Sequence, residues 1–519
     1  MSDWNEGYVT EIDYNFGYYS MLNPAFARLP LAMAGLACPR FRTACELGFG
    51  QGLSTNLHAA ASITQWFGTD FNPSQAAFAQ ELAAASGARA TLYDEAFADF
   101  CTRADLPDFD FIGLHGIWSW VSDENRASIV NFIRRKLRVG GVVYVSYNTL
   151  PGWSAFAPMQ HLMMQYDVAM GAQGRGLPSR IDDAISFAQK LLGANPGYGR
   201  LNPQIGERFK AIMGQNRQYL AHEYFNRTWD PMYFAAMAEW LAPAKLRYAC
   251  SAKYADHLDE ANLTPEHRAF LAEVPDATLR ESVRDFMMNQ SFRTDYWVKG
   301  PRVLTEVERA DALQDIRIIM TRPRPQDALK MRGALGDITI GGPLYGALLD
   351  QLADHKPRSL GELAVALKGL NFKWRMLGEA IMGLVCAGQV SMAQDEEVIK
   401  QARGTSDKLN AYLMRKARSQ TPITTLSSPV TGSGVHCSRM DQLFLLAVGD
   451  GVRTPEALAR FAWSILSANG ERLTREGAPL ETAEANLGAL TVQGEKFLKE
   501  TLPTFEALQI SGHRTVDAA

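Results

Sequence analysis

Residues 43–52 read TACELGFGQG: an apolar run closes on Glu46, then Gly48, Gly50 and Gly52 alternate with other residues. The run RTACEL predicts a strand, and LSTNLHAAAS, beginning at Leu53, predicts a helix. A glycine-rich turn in that position lets the main chain pass close to a ligand. Glycine tolerates positive φ, and the helix start offers unpaired N–H groups. The dinucleotide fingerprint needs glycines at its first, third and sixth places. Here the sixth place is Leu53 and the last glycine comes one residue early, so a nicotinamide dinucleotide fits poorly.

Outward from this turn, short apolar runs recur with helical segments between them: ITQWFGTD, ARATLYD, FDFIGL and GGVVYVSYN. Such alternation predicts βαβ units and a parallel sheet with helices on both faces. Beyond Pro151 the texture changes to long helical segments such as PMQHLMMQYDVAM and RIDDAISFAQKLLG. TRPRPQDALKMRG, from Thr321, predicts a connection. From Gly342 the order is helix, turn, helix and short strand, which suits a winged-helix-like module.

The 519 residues are enough for roughly three domains. Apolar residues make up 47% and charged residues 21%, a balance expected of a soluble globular protein. With a net charge of −4, no global attraction to nucleic acid or anionic membrane is expected. Six cysteines without a CxxC pair point to reduced thiols and a cytoplasmic setting. No run approaches the ~18 apolar residues of a membrane span, and the N-terminal stretch lacks the pattern of a signal peptide.

The order of acidic and glycine residues along the alternating section resembles class I S-adenosylmethionine-dependent methyltransferases. Glu46-x-Gly48-x-Gly50-x-Gly52 matches their first motif, and Asp70 is the acidic residue closing the second strand. The resemblance implies that Glu46 faces the methionine amino group and that the glycines pass under the ligand. Asp70 would accept both ribose hydroxyls, since an ionised carboxylate only accepts hydrogen bonds. Phe71 would lie against the adenine, and either Asp94 or Glu95 would take the adenine amino group. The fourth element is GLHGIWSWV, residues 113–121, where His115 and Gly116 would pass beside the methionine end. The exocyclic-amine motif of nucleic-acid enzymes, Asn/Asp-Pro-Pro-aromatic, is replaced there by Leu114-His115-Gly116-Ile117, which counts against base methylation.

GLHGIWSWVSDENRASIVNFIRRKLRVGGVVYVSYNTLPGW, together with YLAHEYFNRTWDPMYFAAMAEWLAPAKLRYACSAKYADHL and LRESVRDFMMNQSFRTDYWVKG, resembles bacterial methyltransferases that carry a methyltransferase regulatory domain. Some of that family, in intracellular pathogens, are protein-lysine methyltransferases acting on an outer-membrane protein. The expected architecture is α/β. A Rossmann-like seven-stranded methyltransferase domain with an N-terminal lid occupies 1–150 and a helical regulatory domain 151–302. A linker with the winged-helix-like module follows over 303–400, and a helical region over 401–519. The implied cofactor is S-adenosyl-L-methionine, and the large helical addition can form an acceptor groove or a homodimer surface.

The expected acceptor is a lysine of a protein substrate. The alternatives are a glycan or small metabolite, or a silent regulator that only senses the cofactor. Candidate catalytic residues are His115, as a proton acceptor, and Trp118, as one wall of the acceptor site. Tyr14 and Tyr18 would belong to a lid built from Tyr8, Tyr14, Phe16, Tyr18 and Tyr19. Trp118 and Trp120, two places apart, would point to opposite faces of an extended chain. His222-Glu223 opens HEYFN, but a zinc helix needs a second histidine where Asn226 stands, so no metal is expected. DNA binding by the winged-helix-like part is disfavoured by the acidic chain, and protein docking suits it better. Arg134, Arg135, Lys136 and Arg138 read as a solvated face at a helix C-terminus.

Overall fold

The computed structural model describes residues 16–171, 174–419 and 422–510. Its organising feature is a seven-stranded sheet. The strands are β1 (Thr43–Leu47), β2 (Gln65–Asp70), β3 (Ala90–Asp94), β4 (Phe109–Leu114), β5 (Leu137–Asn148), β6 (Leu246–Ser251) and β7 (Phe292–Lys299). They lie in the order β3-β2-β1-β4-β5-β7-β6. Strands β1 to β5 are mutually parallel, while β7 runs antiparallel to β5 and β6. Strand order reverses between β1 and β4, the switch point outside whose carboxyl ends open α/β sheets bind ligands.

Sequence accounts for these elements locally. All six residues of β4 are buried, as expected for a central parallel strand covered on both faces. The helix Pro73–Ser86 starts at Asn72, whose side chain accepts from Ser74 N–H, with Pro73 in the first turn, and ends at Gly87 in the left-handed region. The helix Asp123–Lys136 is capped by Ser122 and carries Asp123 and Glu124 first and Arg134, Arg135 and Lys136 last, in accord with its macrodipole.

The expected boundary at residue 150 cuts through this sheet. Residues 1–150 supply only five strands; β6 and β7 come from the segment expected to be mainly helical. The core of the 151–302 segment is therefore divided. Helices between Ala157 and Tyr224 bury a separate cluster that includes Phe156, Met163, Ile181, Phe209 and Leu220. Phe234, Met237, Leu246 and Trp297 instead join the core under β4 and β5. Of β6 and β7, β6 lies at the sheet edge and mixes exposed and buried positions, so it carries no continuous apolar run.

Farther on, Arg358–Ser359, Arg317–Met320 and Val390–Ala393 form a small sheet with Arg317–Met320 in the middle, beside the helices Leu360–Ala366 and Trp374–Cys386. Of the stretch expected to be a connection, residues 321–328 form no helix or strand, and its end, Leu329–Gly333, pairs with Gly336–Ile340 in a hairpin. The last region is not purely helical either: Thr425–Ser428 pairs with Ser433–His436. It packs onto the methyltransferase sheet's own helices, with Leu53, Leu57 and Leu82 sharing one core with Leu409, Leu426 and Phe444. All six cysteines are free thiols, and among the described residues no helix is long and apolar enough to cross a membrane.

Candidate active site

A cavity of about 1280 Å³, counting its solvent-open mouth, lies at the carboxyl ends of β1, β2 and β4. The glycine turn forms one wall. Gly48, Gly50 and Gly52 adopt φ of +72°, +56° and +66°, which only glycine visits without strain. Close packing adds a second constraint: a Cβ on Gly52 would stand 2.4 Å from Ala79 Cβ, and one on Gly48 2.4 Å from Ile117 Cδ1.

Two acids frame the turn. Glu46 is 3% exposed and accepts a hydrogen bond from Thr55 Oγ1. Burial pushes its carboxyl up to about 8, with the Thr55 bond opposing and the Asp70 charge reinforcing. Asp70 closes β2, accepting from Gly50 N–H at 2.8 Å and from Asn72 N–H at 3.0 Å. Burial raises its pKa to about 6 against those two bonds. The carboxylate thus pins the glycine turn and keeps further acceptor capacity towards the cavity, which it lines beside Phe71.

The end of the third strand separates the two candidate acids. Glu95 lines the cavity whereas Asp94 is exposed and does not. Glu95 pairs through Oε1 with Arg103 at 2.5 Å, while its Oε2 is buried without a hydrogen-bond partner.

After β4 the chain delivers His115 and Gly116 to the cavity. Gly116 has φ of +66° and donates its N–H to Ser146 Oγ at 2.8 Å. His115 Nδ1 lies 2.8 Å from Tyr144 Oη and 3.3 Å from Ser146 Oγ. Tyr19 stacks on the imidazole with ring centroids 3.6 Å apart. Burial lowers the imidazole pKa to about 3, so the ring stays neutral at neutral pH. A base that weak is mismatched to proton abstraction. The structure places His115 in the cavity wall, where burial favours its neutral form.

Two further expectations fail. Trp118 is fully buried, its indole N–H directed at Met232 Sδ (3.3 Å) and its ring edge-on to Trp240. Trp120 is the tryptophan that lines the cavity. The segment is not extended: Trp118–Trp120 forms a 3-10 turn, which carries the first ring under the sheet and the second outward. Trp118→Ala is accordingly expected to cost about 3–5 kcal/mol of stability, read by chemical denaturation, whereas Trp120→Ala should leave the denaturation midpoint nearly unchanged.

Tyr18 points away from the cavity. Its hydroxyl accepts from Gly434 N–H at 2.9 Å, and burial raises the phenol pKa to about 12. Its neighbour Tyr19, extended at φ −125°, takes the cavity side instead. Tyr8 and Tyr14 lie outside the described residues. The cavity wall also includes Gln75, Phe97, Asn125 and Thr228, which sequence reading missed. Asn125 had a local signal, three residues beyond the capping Ser122; Thr228 had none, since it arrives from beyond the helical insertion.

Comparison with known proteins agrees with this geometry. Residues 45–145 match the family model "Methyltransferase domain". Residues 216–299 match "Predicted methyltransferase regulatory domain". An uncharacterised Synechocystis protein, sll1526, is 37% identical over 513 residues, 98% of this chain and 100% of its own. An uncharacterised protein of Rickettsia prowazekii, RP789, is 25% identical over 297 residues, 55% of this chain and 51% of its own. The structure of PKMT2 from Rickettsia typhi in complex with AdoHcy superposes with a TM-score of 0.68 at 18% identity, covering 96% of this chain and 100% of that one. The chain therefore shares a family with sll1526 along its full length, and it belongs to the class I S-adenosylmethionine-dependent methyltransferases that carry a methyltransferase regulatory domain.

Proposed function

We infer that the protein methylates lysine side chains of a protein substrate, with the cavity at the β1–β4 switch point as the donor site. The observation that carries this is a second cavity beside the first, with His115, Gly116 and Trp120 lining both. The first is built of the glycine turn and carboxyl groups. The second is roofed by helices of the 151–302 segment, an addition beyond the donor site that offers surface for a polypeptide acceptor.

The residues of the first cavity fit S-adenosylmethionine. Glu46 is a buried carboxyl that a cationic amino group would neutralise, and Asp70 retains acceptor capacity for ribose hydroxyls. Phe71 offers a ring face to adenine, and the unpartnered Glu95 Oε2 offers an acceptor to its amino group. When bound, this donor supplies an electrophilic methyl group. The protein's own work is alignment and exclusion of water, with Tyr19 and His115 stacked in the cavity wall.

Calorimetric titration tests the first part: S-adenosylmethionine should bind the purified protein, and an absence of heat rejects the donor assignment. Tritiated donor is then incubated with a fractionated bacterial lysate. Label in protein that survives hydroxylamine and elutes as methyllysine after acid hydrolysis is the expected result. Label confined to glycans or small metabolites rejects lysine. Binding with no transfer to any fraction rejects enzymatic methylation in favour of a cofactor sensor.

A further inference from the structure

The second cavity has a composition of its own. Ser146, Tyr147 and Asn148 at the end of β5 form one side, and the helices Gln204–Met213 and Arg217–Tyr224 form the other. Trp120, Trp153, Tyr219 and Tyr224 give it aromatic walls. Trp120 and Trp153 are themselves braced by Trp229, at centroid distances of 6.2 and 4.8 Å.

Two side chains of opposite charge line this space, Arg208 and Glu223. The Arg208 guanidinium is engaged by ring faces, 3.7 Å over Trp153 and 5.1 Å over Phe156. Glu223 is half-buried, and burial raises its carboxyl to about 7 while Arg208 opposes the shift. The other titratable groups lining the same cavity are Tyr147, Tyr219, Tyr224 and His115. Burial holds the three phenols un-ionised and the imidazole neutral, which leaves Glu223 as the group suited to carry a proton at neutral pH.

We propose that this cavity receives the amine-bearing side chain of the acceptor, with the ammonium held against the aromatic walls and the Glu223 carboxylate, which takes its proton. The inference rests on the donor assignment above and adds a second, acceptor-binding site. Rings attract a cation through their negative faces, and a carboxylate adds a charge-assisted hydrogen bond. One proton passes from the ammonium nitrogen to a Glu223 oxygen, giving a neutral amine with a free lone pair and a neutral carboxylic acid. The acid returns its proton to water at the cavity mouth. HEYFN, which lacks the second histidine of a zinc helix, thereby acquires a use: Glu223 faces the cavity while Tyr224 forms its wall.

The test is binding. Protein is saturated with S-adenosylhomocysteine and titrated with Nα-acetyl-lysine methylamide, or with Nα-acetyl-norleucine methylamide, its counterpart without the amine. Indole fluorescence from Trp120 and Trp153 and heat both report occupancy. The lysine probe should bind about tenfold tighter than the norleucine probe, and Glu223→Gln should remove that advantage. Ala211→Trp, which fills the cavity from the helix Gln204–Met213, should abolish probe binding. Both variants should bind S-adenosylhomocysteine as wild type does, which certifies their fold. Equal binding of the two probes, or an unchanged lysine preference in Glu223→Gln, overturns the inference and leaves the donor assignment standing. Failure of S-adenosylhomocysteine itself to bind overturns both.

Discussion

Asp70→Ala is expected to weaken S-adenosylmethionine binding at least a hundredfold while leaving the fold in place. The carboxylate has two tasks. It accepts from Gly50 and Asn72 N–H groups, which fixes the glycine turn, and in the proposed function its remaining acceptor capacity would serve the ribose. A hydrogen bond to a charged group is worth about 1.5–3 kcal/mol, and two such bonds correspond to at least two decades of affinity at ~1.4 kcal/mol per decade. The fold should tolerate the change because removing a carboxylate whose pKa burial has raised to about 6 also removes a desolvation cost. Asp70→Asn keeps one acceptor oxygen and should lie between wild type and alanine. Calorimetry gives the affinities and thermal unfolding of the ligand-free protein gives the control. Wild-type affinity in the alanine variant would reject the ribose assignment.

Glu46→Gln should move stability and binding in opposite directions. The folded-state pKa of about 8 lies above the ordinary value of 4.5, so the folded protein holds this proton more tightly than the unfolded chain does. By linkage, the destabilisation is absent below pH 4.5, grows as pH rises between about 4.5 and 8, and is complete beyond. At ~1.36 kcal/mol per pKa unit, the full effect is on the order of 3–5 kcal/mol. Glutamine keeps an acceptor for Thr55 Oγ1 but buries an amide, which returns about 1–3 kcal/mol. The ligand-free variant should therefore melt higher than wild type at pH 8.5, and the difference should shrink as pH falls and reverse near pH 4.5, where only the cost of the buried amide remains. Affinity for S-adenosylmethionine should fall at least tenfold, because the charge that meets the methionine amino group is gone. A variant that melts lower at pH 8.5, or that binds as tightly as wild type, would contradict the assignment. Stability lost at Glu46 in the empty protein is the mark of a site built for a cationic ligand.

Glu46 and Asp70 were legible for one shared reason. Both end apolar strands, and a strand end is a local property of the chain, so their positions at the cavity followed from the order of residues. The choice between Asp94 and Glu95 did not, because neighbouring residues at a strand end point to opposite sides and only the pairing of β3 with β2 fixes which side is which. Tyr18 and Tyr19 repeat the lesson. One hydroxyl meets Gly434, more than four hundred residues away in sequence, and the other ring meets His115. Which of Trp118 and Trp120 faces the cavity was likewise not legible in the sequence, since the segment coils into a 3-10 turn.

What the sequence determined by itself was the α/β alternation, the glycine turn after β1, the acids at the ends of β1 and β2, and His115 and Gly116 after β4. Each depends on residues close together in the chain: hydrophobic period, glycine conformational freedom and strand termini. Tertiary structure alone decided that the sheet is completed by β6 and β7 from beyond the helical insertion, and that Trp120 and Tyr19 face the cavity. It also decided that Glu223 and Arg208 stand behind His115. These facts depend on contacts between segments dozens to hundreds of residues apart. Burial, which sets the protonation of Glu46, His115 and Glu223, exists only once those segments have met.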